Sequence, residues 1–237
     1  MSRSWIVVSD SHVSKNFEND SEFFEMLAHI SRSEHDLVFL GDILDLWISL
    51  PGYEDEVQQR FLAWCTGEKK RRMVGFVEGN HEFYVSQRHG DAFSWSTGEH
   101  HVMDHAYMVH GDQINLHDKN YLRWRKISKN PVTRIIFRFL PFGPAIARKL
   151  KSGLKKTNKA FRINLPQKEV DRFGQELFDK GFRHVIVGHF HKDYRLDGQP
   201  GQFLQIMPDW YATGKIGLYD GDQLRMMHWK ELLLPHE

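Results

Sequence analysis

"WIVVSDSH", residues 5–12, starts as an unbroken apolar, β-branched run and stops at a polar cluster. A continuous run of this length reads as a strand buried on both faces, with polar side chains gathered at its carboxyl end. Four further stretches have the same shape: "LVFLGDILD" (37–45), "VGFVEGNHE" (74–82), "YMVHGD" (107–112) and "HVIVGHFH" (184–191). Between them lie helical patterns. Asp20 or Ser21 is expected to cap a segment carrying Phe23, Phe24, Leu27 and Ile30 on one side. "EDEVQQRFLAWC" follows the second strand, and "PQKEVDRFGQELFDKG" runs from Pro166 to Gly181, residues that suit a helix start and stop. Alternating strands and helices predict an α/β fold, whose ligands collect where the strands end.

Those ends carry Asp10 and His12, Asp42, Asn80 and His81, His110, and His189 and His191. A lone His after a strand is more often a structural hydrogen-bonder than a ligand. Five such clusters in series, each closing a strand, point to one shared site. The donor set is carboxylate, amide and imidazole without thiolate, which excludes a zinc-finger or iron–sulfur centre. It suits divalent ions of the manganese, iron or zinc kind better than magnesium. With so many donors, two ions are expected, roughly 3.5–4 Å apart and sharing a carboxylate, the arrangement that clamps in-line attack at phosphorus.

The 237 residues suit one large domain or two small ones. The single cysteine, Cys65, allows no internal disulfide and fits a reducing compartment. The apolar run after Met1 stops at Val8, so no signal peptide is expected. "RIIFRFLPFGPAIARK" is interrupted by Arg138, Pro141 and Pro144, so no membrane span is expected either, and the chain reads as cytoplasmic. Charge is unevenly placed. The formal net charge is +1, yet residues 119–162 hold fourteen Lys and Arg and no Asp or Glu, leaving 18 basic against 31 acidic residues elsewhere. Such a segment predicts an anionic partner or surface. Because the remainder is acidic, a nucleic-acid partner is not expected. Aromatic and aliphatic residues interleave with the cations, as an interfacial helix requires.

Together, D-x-H (Asp10 to His12), G-D-x-x-D (Gly41 to Asp45), G-N-H-E (Gly79 to Glu82), H-G-D (His110 to Asp112) and G-H-x-H (Gly188 to His191) resemble the motifs of the calcineurin-like metallophosphoesterases. The resemblance implies a four-layer αββα sandwich, two β-sheets packed together and flanked by helices, with both ions at one edge. It implies that Asp10, His12 and His191 hold the first ion and Asn80, His110 and His189 the second, with Asp42 between them. His81 would serve the leaving group as general acid or charge stabiliser, and Asp45 and Glu82 would orient the ligands and His81. A member that had lost its ions would lack several of these residues; none is missing, so an enzyme is expected rather than a metal-free scaffold.

A closer resemblance covers most of the chain. "HGDQINLHDKNYLRWRK", "NPVTRIIFRFLP" and "QFLQIMPDWYATGKIGLYDG", with Pro131, the Leu140–Pro141 pair and Trp210 in register, are similar to the UDP-2,3-diacylglucosamine hydrolases of lipid A biosynthesis. That likeness implies cleavage of the UDP-diacylglucosamine diphosphate to UMP and the acylated sugar 1-phosphate, usually with manganese. It further implies one domain, 1–237, with a helical lid at 116–165. Lid cations would meet the diphosphate and the anionic inner leaflet of the membrane. Apolar residues, among them Trp124, Ile135, Ile136, Phe137, Phe139, Leu140 and Phe142, would meet acyl chains. Asp118, Tyr121, Lys155, Asn158 and Lys159 are the substrate-binding candidates, and a monomer at the inner face is expected. The sequence departs from this closer family in carrying His81-Glu82 where it has Arg-Asp, and "VGHFHKD" as its last motif. A soluble phosphatase or phosphodiesterase, and less readily a nuclease, therefore stand as alternatives.

Overall fold

The computed structural model describes residues 4–14, 18–117, 119–145 and 165–234. The five apolar runs form strands β1 (Trp5–Val8), β2 (Asp36–Leu40), β4 (Val74–Val77), β8 (Ala106–Val109) and β9 (His184–Val187). Shorter strands complete the set: β3 (Trp47–Ile48), β5 (Glu82–Phe83), β6 (Trp95–Thr97), β7 (His100–Met103), β10 (Tyr194–Asp197), β11 (Phe203–Ile206), β12 (Lys215–Tyr219) and β13 (Leu224–His228). One sheet has the order β13-β12-β1-β2-β4-β6 and a second the order β10-β11-β9-β8-β7. β1, β2, β4 and β6 run parallel, as do β8, β9 and β11.

Alternation of side chains explains why the runs are apolar throughout. Val7, Val38, Leu40 and Val77 point from the first sheet toward Ala106, Met108, Ile186 and Phe203 of the second. Their neighbours Ile6, Val8, Leu37, Phe39 and Phe76 point the other way, onto Phe23, Met26 and Leu27 of α1 (Asp20–Ile30) and Val57, Phe61 and Cys65 of α2 (Glu56–Glu68). On the far side, Val109, Val185, Val187, Leu204 and Ile206 meet Val170, Leu177 and Phe178 of α6 (Gln167–Asp179). Each such side chain, fully buried, contributes about 1.5–3 kcal/mol. The layers are helix, sheet, sheet, helix, as an αββα sandwich requires.

Local signals set the helix ends. Asp55 accepts from the Val57 N–H at 2.8 Å while Gln58 accepts from the Asp55 N–H at 2.8 Å, a reciprocal cap on α2. At α1 the outcome differs from expectation. Asn19 holds the cap position and Asp20 is the first helical residue. The Asn19 side chain makes no cap bond; it accepts from Ser14 N–H at 3.0 Å and donates to the Ser11 carbonyl at 3.1 Å. It thereby ties down the loop that carries His12.

Between β8 and α6 the described residues form the helices α4 (Lys119–Ser128) and α5 (Pro131–Phe139). Arg134 of α5 donates to Gln87 of α3 (Val85–His89) at 2.7 Å. Asn130 caps α5 through the Val132 N–H at 2.8 Å, with Pro131 in the first turn. Phe137 packs with Leu50, Phe83 and Tyr84, and the Tyr53 hydroxyl donates to its carbonyl at 2.7 Å. Among the described residues no helix is long and apolar enough to cross a membrane.

Candidate metal centre

Every expected ligand lies just past a strand end on one rim of the two sheets. Asp10 follows β1, Asp42 follows β2, Asn80 follows β4, His110 follows β8, and His189 and His191 follow β9. Five of them take left-handed backbone: Asp10 (φ 53°), His12 (43°), Asp42 (52°), His189 (70°) and His191 (54°). Each such residue costs on the order of 1–3 kcal/mol and persists only where its surroundings enforce it. Here they do. Asp10 N–H donates to the Gly41 carbonyl at 3.1 Å and His12 N–H to the Asp42 carbonyl at 2.9 Å. Glycines allow the loops to touch: a Cβ on Gly79 would lie 2.2 Å from Asp42 Oδ1, and one on Gly188 would lie 2.3 Å from Ser9 Oγ.

Among the described residues, three groups of His and Asp side chains each bring their atoms within 4.8 Å of one another: Asp10, His12 and His191; His12, Asp42 and His81; Asp42, His110 and His189. Asp42 lies between the two expected ligand sets, with Oδ2 3.9 Å from His12 Nε2 and Oδ1 on the side of His110 Nε2. Asp10 Oδ1 is buried without a hydrogen-bond partner and faces His191 Nε2 at 3.5 Å and His12 Nε2 at 4.0 Å. His110 Nδ1 lies 3.0 Å from the Leu40 carbonyl, which fixes the proton there and turns Nε2 toward Asn80 Oδ1 at 3.1 Å and Asp42 Oδ1 at 3.5 Å. His191 Nδ1 faces Asp209 Oδ2 at 3.5 Å. An orphaned carboxylate oxygen, imidazoles oriented by carbonyl or carboxylate partners, and a thiolate-free donor set all fit divalent metal ions.

Buried carboxylates and imidazoles crowd together here and act on one another's charge. Burial opposes ionisation of Asp42, yet the His81 and His110 side chains outweigh it and hold the carboxyl well below the usual range. Burial likewise opposes a charge on His110, but Asp42, Asp10 and Asp112 lift it to about 10. Burial and the nearby His110 push His189 down to about 4. His81 Nδ1 is hydrogen-bonded to the Asp45 carbonyl, and its Nε2 lies 3.8 Å from Asp42 Oδ2. Glu82 is fully buried. Its two oxygens accept from the N–H groups of Ile43 (2.7 Å), Leu44 (3.3 Å), Asp42 (2.8 Å) and Gly79 (2.8 Å), so it braces the loops of Asp42 and Asn80 together.

The family model for calcineurin-like phosphoesterases matches residues 5–193, a span that includes all of these ligands. The chain belongs to the calcineurin-like phosphoesterase family. As a metallophosphoesterase it hydrolyses phosphoester bonds and uses divalent metal ions. This phosphoesterase is similar to a UDP-2,3-diacylglucosamine hydrolase of Pseudomonas fluorescens, 24% identical over 228 residues that cover 88% of each chain. It is similar to the enzyme of that name from Photobacterium profundum, 24% identical over 227 residues, 89% of this chain and 91% of that one. Among solved structures, a phosphoesterase from E. coli covers 95% of this chain and 98% of its own at 14% identity and a TM-score of 0.40.

Of the expected substrate residues in this phosphoesterase, Tyr121 donates to Asp112 Oδ2 at 2.6 Å. Asp118, Lys155, Asn158 and Lys159 lie outside the described residues. Asp209, which faces His191, sits in "MPDW" after an apolar strand, where no motif or spacing in the sequence marks it as a site residue.

Proposed function

We propose that this phosphoesterase cleaves the diphosphate of UDP-2,3-diacylglucosamine, releasing UMP and 2,3-diacylglucosamine 1-phosphate at the inner face of a membrane. One observation carries the lipid substrate. α4, α5 and the turn after them expose Trp124, Ile127, Val132, Ile135, Ile136, Phe139 and Phe142, each between 49% and 81% accessible. An apolar patch of this kind marks a lipid or protein contact. It lies beside the metal centre, since Phe137 of α5 packs on Phe83 and Tyr84, next to Glu82. The similarity to named UDP-2,3-diacylglucosamine hydrolases over most of both chains supports the same reading. On this reading residues 1–237 form one domain, 116–165 its lid, and the protein works as a monomer.

Asp10, His12 and His191 would hold one ion and Asn80, His110 and His189 the other, with Asp42 shared; manganese is the first choice, iron or zinc the alternatives. Two such ions supply an activated water and neutralise phosphoryl oxygens. The protein's own contribution is orientation and a proton. Glu82 fixes the Asp42 and Asn80 loops through four backbone N–H groups. His81 is held through Nδ1, which leaves Nε2 to face the departing phosphate. Burial works against its charge, but Asp42 and the Asp45 carbonyl outweigh it and raise His81 above its ordinary value. In this role His81 would donate a proton to the bridging oxygen as the bond to phosphorus breaks.

A second reading, a soluble phosphodiesterase, is favoured by one residue, His81, where the closer family carries Arg. Mass spectrometry of the products from UDP-2,3-diacylglucosamine tests the proposal. UMP with the acylated sugar 1-phosphate is expected; UDP with the free acylated sugar, or unchanged substrate, would rule it out.

A further inference from the structure

Tyr121, Arg125 and Lys129 recur at four-residue spacing along α4 and its end, and so form one stripe. All three reach the metal rim. Arg125 Nε donates to Asp112 Oδ2 at 2.5 Å beside the Tyr121 hydroxyl, and its Nη2 donates to the Gly98 carbonyl at 3.2 Å. Lys129 Nζ donates to the Gly79 carbonyl at 2.7 Å and lies 3.5 Å from Glu78 Oε2. These are not loose surface cations. The Arg125 and Lys129 side chains are 13% and 14% exposed, and their acidic partners 2% and 5%. The α4 end is itself seated, because the Tyr84 hydroxyl donates to the Ser128 carbonyl at 2.5 Å.

Asp112 lies two residues past His110, and Gly79 directly precedes Asn80. The first loop therefore leads to His110 and the second to Asn80, whose Oδ1 lies 3.1 Å from His110 Nε2. The side-chain bonds given above from Arg125 and Lys129 go to Asp112, Gly98 and Gly79.

We infer that Arg125 and Lys129 are positioning residues for one of the two metal subsites, holding the His110 and Asn80 loops at the separation that the second ion needs. They bridge helix α4 to both loops, so seating of the helical segment and filling of that subsite are mechanically linked. This inference rests on the two-ion reading of the site and not on the identity of the substrate.

Calorimetric titration of metal-free protein with Mn2+ tests it, using wild type, Arg125→Gln, Lys129→Gln and the double variant. Partners that orient metal ligands affect affinity by about 10–100-fold. One of two Mn2+ affinities is expected to weaken by that factor while the other is unchanged. Arg125→Lys and Lys129→Arg, which keep the charge, should recover most of the loss, and kcat on a small soluble diester should return at high Mn2+. Two unchanged affinities would overturn the inference. So would equal weakening at both sites alongside a lower melting temperature, the mark of a purely structural role. A wild type that binds a single ion would overturn the two-ion reading and this inference with it. Two ions bound without turnover of UDP-2,3-diacylglucosamine would overturn only the proposed substrate.

Discussion

Replacing Ile136, Phe139 and Phe142 together by serine separates membrane contact from folding. These side chains are 58%, 75% and 81% exposed, so the protein itself makes little use of their apolar surface. A fully buried side chain of this type contributes about 1.5–3 kcal/mol. Scaled by the surface still open, the three together give about 4 kcal/mol on entering a lipid phase, roughly a thousandfold in partition. Phe137 is the internal control. It packs with Leu50, Phe83 and Tyr84, so Phe137→Ser is expected to lower the melting temperature, whereas the triple variant keeps it. Sedimentation with vesicles of mixed neutral and anionic phospholipid measures the partition. The triple variant should lose binding while hydrolysing a small soluble diester at the wild-type rate. Vesicle binding within threefold of wild type would refute the reasoning, and the exposed face would then have no part in lipid contact.

Other residues give independent tests. His81→Ala should lower kcat by about 10²–10⁴, the range for a lost acid–base group, with metal content unchanged; loss of an ion on elemental analysis would make His81 a ligand instead. Asp42 lies between the two ligand sets, 3.9 Å from His12 Nε2 and 3.5 Å from His110 Nε2, so Asp42→Ala should drain both ions, while His191→Ala should mainly empty one; equal partial loss in the two variants would contradict a shared carboxylate. Arg72 is buried, pairs with Glu68 at 2.8 Å and donates to the carbonyls of Ile30 (3.1 Å), Ser33 (2.8 Å) and His35 (2.6 Å). Arg72→Leu leaves the three carbonyls without this donor, while Glu68 keeps Arg71 at 2.9 Å and Ser31 at 2.7 Å, so the change should cost about 1–3 kcal/mol in urea unfolding; no measurable loss would show that the network is dispensable.

The sequence shows the site's rim more clearly than the surroundings of helices α4 and α5, and the reason is physical. β1, β2, β4, β8 and β9 are buried on both faces, so each reads as an apolar run ending abruptly at its ligand. β3 and β5 are two residues long and carry no periodicity to read. Asp209 reaches His191 across the fold, from beyond β11, and nothing local marks it. The left-handed backbone at Asp10, His12, Asp42, His189 and His191 is likewise imposed by neighbouring loops and not by residue type. The basic segment is the instructive case. Its composition, with no acidic residue between 119 and 162, predicts cations aimed at an external anion. Two of those cations, Arg125 and Lys129, have acidic partners, Asp112 and Glu78, that the fold brings in from outside the segment, while seven others, between 148 and 162, lie outside the described residues. Arg134 similarly donates to Gln87 at 2.7 Å. Local charge counts could not register partners supplied by tertiary packing.

Relative turnover by the Mn2+-loaded protein on UDP-2,3-diacylglucosamine, UDP-N-acetylglucosamine and an aryl phosphate tests the central claim most directly. All three present a phosphoryl group to the same ions, a diphosphate in the two UDP-sugars and a phosphoester in the aryl phosphate, and only the first offers acyl chains to the exposed residues of α4 and α5. The account predicts kcat/KM for the diacylated substrate at least a hundredfold above the other two, about 3 kcal/mol of apolar contact expressed in the transition state. Equal turnover of all three, or a preference for the aryl phosphate, would contradict it.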